Sequence, residues 1–218
     1  MKVVISLGGS IISPDEPDYI KNVASLIKKA SENLAIYVVV GGGKLARRYI
    51  NAGRKLGASE EYLDVIGISA TRMNAMLLNI FFNKTIPSSI EEACKISPPV
   101  IMGGTVPGHS TDAVGAMLAR EIRADRFIIA TDVDGIYDKD PKLHKDAKKF
   151  DKISIKELRR MAGDEWKQAG KSAVVDAIAC RIIEESKIKT CVVNGKNLGE
   201  LENAIYGKKF NGTLVEIE

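Results

Sequence analysis

Three glycine-rich loops, each placed directly after an apolar run, constrain this chain more than any other feature. Gly8-Gly9-Ser10 follows Val3–Leu7, Gly41-Gly42-Gly43-Lys44 follows Ala35–Val40, and Gly103-Gly104-Thr105-Val106-Pro107-Gly108 follows Val100–Met102. Uncharged runs such as Ile36-Tyr-Val-Val-Val40 read as strands buried on both faces, the signature of a parallel sheet covered by helices. Glycine lets the backbone approach an oxygen closely with its N–H groups turned toward it. A helix that starts at such a loop adds further donors and a partial positive charge. One loop of this kind is an ordinary turn; three at the same sheet edge predict a phosphate site.

Helix-like stretches alternate with the strands. Tyr19–Ser31 places Ile20, Val23, Ala24, Ile27 and Ala30 on one face, with Lys21, Lys28 and Lys29 off it. Lys44–Leu56, Ser59–Phe82 with a possible break at Gly67, Ser110–Ile122, Val174–Ser186 and Leu198–Tyr206 also read as helices, and Ser89/Glu92 and Ser154/Glu157 as capped helix starts. Arg126–Ala130, Thr190–Val193 and Thr213–Ile217 complete the strands, and Thr131–Lys149 is polar and turn-rich. The expected fold is α/β, a three-layer α/β/α sandwich around a mainly parallel sheet. Ligands in such sheets bind at the carboxyl ends of the strands, which singles out loops 8–13, 41–44, 103–112 and 131–141. At 218 residues and 45% apolar content the chain suits one domain or two lobes sharing a core. The 28% of charged residues and a longest apolar run of only seven (Leu34–Val40) exclude a membrane span.

The net charge of +4 is too small to argue for nucleic acid and fits a small polyanionic ligand. It is concentrated in residues 139–160, which read either as a solvated loop and helix face or as an attractor for nucleotides. Cys94, Cys180 and Cys191 are scattered and form no disulfide or zinc pattern, so they read as reduced core thiols. No signal-peptide core precedes Gly8, and a cytoplasmic location is expected.

Among the charged candidates, Lys44 and Arg47 are i,i+3 neighbours on one helix face beside the triple glycine. Asp112 opens a helix next to the third glycine loop, where it could complement the helix end or organise cations around phosphates. Asp64 is a lone acid among apolar residues. Thr131-Asp132-Val133-Asp134-Gly135-Ile136-Tyr137-Asp138-Lys139-Asp140-Pro141 carries four acids, as a metal loop or a nucleotide-ribose loop would, and composition leaves both open. Its glycine is misplaced for an EF-hand. His109 lies in the candidate phosphate loop, whereas His144 reads as a solvated loop residue. Gly41-x-Gly43-x-x-Ala46 approaches a dinucleotide fingerprint but follows the second strand. Gly103-x-x-x-x-Gly108-His109-Ser110 approaches a P-loop but has His109 where lysine is required, and Gly170-Lys171-Ser172 has only the tail of one.

Taken together, Val3-Val-Ile-Ser-Leu-Gly-Gly-Ser10, Val38-Val-Val-Gly-Gly-Gly-Lys-Leu-Ala-Arg47, Asp64-x-x-Gly67, Gly103-Gly-Thr-Val-Pro-Gly-His-Ser-Thr-Asp-Ala113 and Thr131–Pro141 resemble the amino acid kinase family, in family order and across nearly the whole chain. The third-loop and 131–141 motifs most resemble the archaeal branch that phosphorylates UMP. The resemblance implies an amino acid kinase-like fold with an acceptor lobe over residues 1–122 and an ATP lobe over residues 123–218. It implies that Gly8, Gly9, Ser10, Gly43 and Arg47 meet the ATP phosphates, and that Thr131, Asp132, Tyr137 and Asp140 hold adenine and ribose. Gly42, Asp64 and the stretch Val106, Pro107, Gly108, His109, Ser110, Thr111 and Asp112 would hold UMP. Asp112, Arg47 and Lys44 would serve the transferring phosphoryl group.

Mg²⁺ would arrive on the ATP phosphates, with no metal held by protein residues alone. UMP and ATP are then the expected partners, with no nucleic acid or membrane, in a cytoplasmic homo-oligomer that the family makes a hexamer. Many family members carry Lys-x-Gly-Gly-Ser at the first strand; here Ser6 stands at the lysine position. An acetylglutamate or isopentenyl phosphate kinase, or a non-catalytic nucleotide or oxyanion binder of the same fold, are the alternatives.

Overall fold

The computed structural model describes residues 1–162 and 175–217. The elements run β1 (Lys2–Leu7), α1 (Pro17–Ser31), β2 (Ala35–Val40), α2 (Gly43–Lys55), α3 (Glu60–Asn79), α4 (Ile90–Lys95), β3 (Val100–Met102), α5 (Thr111–Glu121) and β4 (Arg126–Thr131). They continue with β5 (Lys152–Ser154), α6 (Ile155–Ala162), α7 (Ala177–Ser186), β6 (Thr190–Asn194), α8 (Leu198–Tyr206) and β7 (Gly212–Glu216). One seven-stranded sheet has the order β3-β2-β1-β4-β6-β7-β5. Every neighbouring pair is parallel except β6 and β7.

Strand alternation divides the core into two layers. On one face Val3, Ile5 and Leu7 of β1 and Ile36, Val38 and Val40 of β2 pack against α1, α8 and the end of α3. On the other, Val4, Tyr37, Val39, Phe127 and Ile129 pack against α5, α6 and α7. The helices α2 and α3 add a smaller cluster of Ala46, Ile50, Leu63 and Ala70. Each fully buried Val, Leu or Ile contributes about 1.5–3 kcal/mol, so the amphipathic α1 is held mainly by Ile20, Val23, Leu26 and Ile27. Ser6 falls by alternation among the second-face side chains and is completely buried.

The register aligns the strand ends. Leu7 is opposite both Val40 and Ala130, so the chain leaves β1, β2 and β4 at one level. The first two glycine loops then meet backbone to backbone. A Cβ on Gly9 would lie 2.0 Å from the Gly43 nitrogen, and one on Gly43 would lie 1.8 Å from the Gly9 carbonyl oxygen. Gly43 also adopts φ +58, a left-handed conformation open to glycine.

Several elements differ from the sequence expectation. The α1 helix starts two residues earlier, with Pro17 in its first turn, where a missing N–H costs nothing. The α3 helix runs unbroken through Gly67, whose bare face instead lets Ile50 of α2 approach. At α4 the Ser89 hydroxyl caps Glu92 N–H as expected, but Glu92 reaches back to Ser88 rather than Ser89. The three-residue β5 is too short to show periodicity. The α7 helix starts at Ala177 behind its N-cap Asp176; Val174 and Gly170-Lys171-Ser172 lie outside the described residues. Cys180 and Cys191 are buried thiols, but Cys94 is exposed on α4, not in the core.

Gly43→Ala is expected to lose more than about 2 kcal/mol in urea denaturation, from left-handed strain plus the Gly9 clash. Gly57→Ala, also at positive φ (+85) but with open space around it, should lose only about 1–2 kcal/mol.

Candidate active site

The loops after β1, β2 and β4 open into one cleft of about 670 Å³. Gly9, Ser10, Gly42 and Gly43 line it beside the start of α2. That helix has Gly42 as N-cap and no capping side chain, so its first-turn N–H groups stay available to an anion. The Gly8 N–H is already used, donating to the Ala130 carbonyl at 2.8 Å and tying β1 to β4.

The cations expected beside these glycines separate. Arg47 lines the cleft and makes no hydrogen bond or ion pair among the described residues, whereas Lys44 is exposed outside the lining. Both side chains are exposed, and of the pair Arg47 alone belongs to the cleft lining.

The α3 helix fixes the loops with polar residues that the sequence reading missed. Asn74 Nδ2 donates to the carbonyls of Gly41 (2.8 Å) and Gly42 (3.3 Å). Thr71 Oγ1 accepts from Gly104 N–H at 2.7 Å, and the Arg72 guanidinium donates to the carbonyls of Gly104 and Thr105. The available signal was polarity on a buried helix side: Asn74 is 1% exposed and Thr71 7%. Asp64, two turns before Thr71 on the same helix, accepts from Gly108 N–H at 2.7 Å and lines the cleft. Val106 and Pro107 are exposed outside the lining, while His109, Ser110 and Thr111 belong to it. Among the described residues, His109 Nδ1 is buried without a hydrogen-bond partner, as a group awaiting a ligand would be.

Asp112 enters the cleft from the first turn of α5, whose N-cap Ser110 accepts from Ala113 N–H at 3.0 Å. Gly115 allows this placement: a Cβ there would lie 2.7 Å from the Phe127 ring. Ser6 donates its hydroxyl to Asp112 Oδ1 at 2.5 Å. Burial pushes the Asp112 carboxyl from its usual 3.8 to about 7, with the nearby Asp176 charge adding to the rise and the Ser6 hydrogen bond opposing it. Asp176 was not anticipated. It accepts from Ser110 Oγ and from Ala179 N–H, and it lines the same cleft.

The 131–141 loop forms the opposite side. Thr131, Asp132, Tyr137 and Asp140 all line the cleft. Its acids are committed within the protein: Asp132 to Lys142 at 2.6 Å, Asp134 to Asn194 Nδ2, Asp138 to Lys148 N–H and Asp140 to Lys142 N–H. Burial disfavours the Asp132 charge, but Lys142 outweighs it and holds the carboxyl below its ordinary range. Among the described residues no group of three or more His, Cys, Asp or Glu could hold a metal ion. The metal-loop reading of this segment therefore has no support in the geometry. The basic stretch 139–160 is largely engaged in ion pairs, and Lys139 and Lys142 are its cations in the cleft. His144 is exposed.

Residues 1–194 match the amino acid kinase family. The chain belongs to that family. It is 48% identical to a uridylate kinase of Methanocaldococcus jannaschii and 48% identical to one of Archaeoglobus fulgidus, in each case over 99% of this chain and 100% of the relative. The crystal structure of uridylate kinase from Archaeoglobus fulgidus superposes with a TM-score of 0.88 at 45% identity, covering 99% of this chain and 100% of that one. An aspartate kinase from Synechocystis shares the fold at TM-score 0.76 and 18% identity, with 40% of that chain covered. Ser6, which the sequence resemblance sets at the position of a family lysine, donates a hydroxyl hydrogen bond to Asp112 in this chain.

Asp112 gives a signed pH prediction. Its proton is bound more tightly in the folded state, so its contribution to stability is full below about pH 4 and is lost as pH rises through about 7. Asp112→Asn removes that dependence. The variant should gain on the order of 2–4 kcal/mol relative to the parent between about pH 4 and pH 8, read from urea unfolding at the two pH values.

Proposed function

We propose that the protein transfers the γ-phosphoryl group of MgATP to the phosphate of UMP, giving UDP and ADP. The observation that carries this reading is the whole-length relationship to proteins named uridylate kinase. The acetylglutamate, isopentenyl phosphate and non-catalytic alternatives have no comparable support.

The β3-β2-β1 side, within residues 1–122, takes UMP; the β4-β6-β7-β5 side, within residues 123–218, takes ATP. Asp64 and the 108–112 stretch face the acceptor, and His109 Nδ1 offers it a hydrogen-bonding atom. Thr131, Asp132, Tyr137 and Asp140 face the adenosine. An oxygen of the UMP phosphate attacks the γ-phosphorus as the bond to the β-phosphate oxygen breaks. That oxygen is already ionised, so no strong base is required, and catalysis rests on alignment and charge neutralisation. N–H groups of Gly9, Ser10, Gly42 and Gly43 and the Arg47 guanidinium offset the phosphoryl charge. The acids of the cleft are engaged within the protein, so Mg²⁺ would be brought in on the ATP phosphates, where it would supply charge neutralisation.

Self-association accompanies this reading. One side of α3 exposes Tyr62, Val65, Met73, Met76 and Ile80, with exposures from 44% to 70%. Their spacing follows a helical stripe, and a second copy of the chain would cover it. No described helix is long and apolar enough to cross a membrane, and a cytoplasmic hexamer is the assembly proposed.

Three outcomes follow. In a panel of UMP, CMP, acetylglutamate and isopentenyl phosphate with MgATP, UMP should give the highest kcat/KM; turnover confined to another acceptor overturns the assignment. Arg47→Ala and Asp112→Asn should lose about 10²–10³ in kcat or somewhat less, and Lys44→Ala less than about tenfold; near-normal turnover in both Arg47→Ala and Asp112→Asn removes the mechanism. In light scattering the parent should have a mass several times that of one chain, and Met73→Glu with Met76→Glu should reduce it.

A further inference from the structure

We propose that Asp176 is a positioning residue for phosphoryl transfer: from the head of α7, acting through the Ser110 hydroxyl, it sets the first turn of α5 and so aims the Asp112 carboxyl into the cleft. The inference rests on the kinase reading above and adds a residue that the reading does not use.

Two helix starts face each other here. Asp176 caps α7 through Oδ1, which accepts from Ala179 N–H at 2.9 Å. Its other oxygen accepts from the Ser110 hydroxyl. The Ser110 oxygen in turn caps α5 by accepting from Ala113 N–H at 3.0 Å. Asp112 lies within that capped turn, and Ser6 of β1 holds its far side at 2.5 Å. The carboxyl is thus fixed from two directions, by a hydroxyl on the central strand and by a cap that Asp176 secures. Both acids line the cleft. A helix cap alone requires neither the cleft exposure nor the cross-link to Ser110.

Charge follows the same geometry. Among the described residues, the titratable groups that bear on Asp112 are Asp176 and Cys180 of α7, with Arg159 of α6 nearby and engaged by Glu184. Burial, followed by the charges of Asp176 and Asp112, pushes the Cys180 thiol up to about 12, so it is uncharged at neutral pH. Lys139 and Lys142 line the same cleft but pair with Asp146 and Asp132. Burial is the main reason that Asp112 holds a proton toward neutral pH, and the Asp176 charge adds to it. A neutral Asp112 does not repel the two incoming phosphate chains.

Asp176→Asn and Asp176→Ser separate this role from capping, because both substitutes are good N-caps and neither carries the charge. Three readouts on the full-length protein are needed: thermal unfolding, kcat and KM for UMP, and the titration of Asp112 by carboxyl ¹³C NMR without substrates. The expected result is a melting temperature close to the parent's and kcat down by about 10–100-fold with KM changed far less. The Asp112 midpoint should fall while staying above the usual carboxylate range, because burial remains, and the variant-to-parent ratio of kcat/KM against pH should follow it. Parental kcat in a folded variant, or an unmoved Asp112 midpoint, overturns the proposal. A parent that does not phosphorylate UMP overturns the kinase reading instead, and the Asp112 titration still decides the role of Asp176. If one variant fails to fold, the other carries the test.

Discussion

The contact on which the rest depends is that of Gly9 with Gly41 and Gly43. No side chain fits between these backbones: a Cβ on Gly9, Gly41 or Gly43 would meet main-chain atoms at 2.0, 2.3 and 1.8 Å respectively. The close approach requires β1 and β2 to end at one level, which the register Leu7↔Val40 supplies. It also brings the uncapped start of α2 beside the β1 loop. One steric condition thereby links the parallel sheet to a cluster of N–H donors at its edge. Those donors are what a phosphate site needs.

The surrounding polar network is concerned with holding loops, not with holding ligands. Asn74, Thr71 and Arg72 anchor the second and third glycine loops to α3. The acids of the 131–141 segment are bound by Lys142, Asn194 and backbone N–H groups. Among the described residues, Arg47 and His109 Nδ1 are placed in or beside the cleft without a hydrogen-bond partner. That division is the physical basis of preorganisation: the donors are fixed before the charge arrives, so little reorganisation accompanies the reaction.

Ser6 sets the electrostatics around Asp112 through a hydrogen bond alone. Lysine there would place a cation beside Asp112 and favour its ionised form. A serine hydroxyl gives a hydrogen bond but no charge, so burial and Asp176 prevail and the carboxyl holds its proton toward neutral pH. The cations that line the cleft are Arg47 of α2 and, paired with Asp146 and Asp132, Lys139 and Lys142 of the 131–141 side.

The sequence by itself determined the alternation of strands and helices, the parallel character of most of the sheet, and the loops that line the cleft. Apolar runs without charge can only be buried on both faces, and glycine after each of them marks a backbone approach; both are local signals. The same locality explains what escaped. The short β5, the antiparallel pairing of β7 and the unbroken α3 are settled by neighbours distant in the chain. Arg47 and Lys44 are indistinguishable as sequence, and only the orientation of α2 puts one into the cleft lining and leaves the other outside it. Asp176 lies 66 residues from Ser110, and the sequence pattern places it inside a helix beginning at Val174. Tertiary structure alone decided its place beside Asp112, because the energy of a buried carboxyl depends on which charges the fold brings near it, not on which residues flank it.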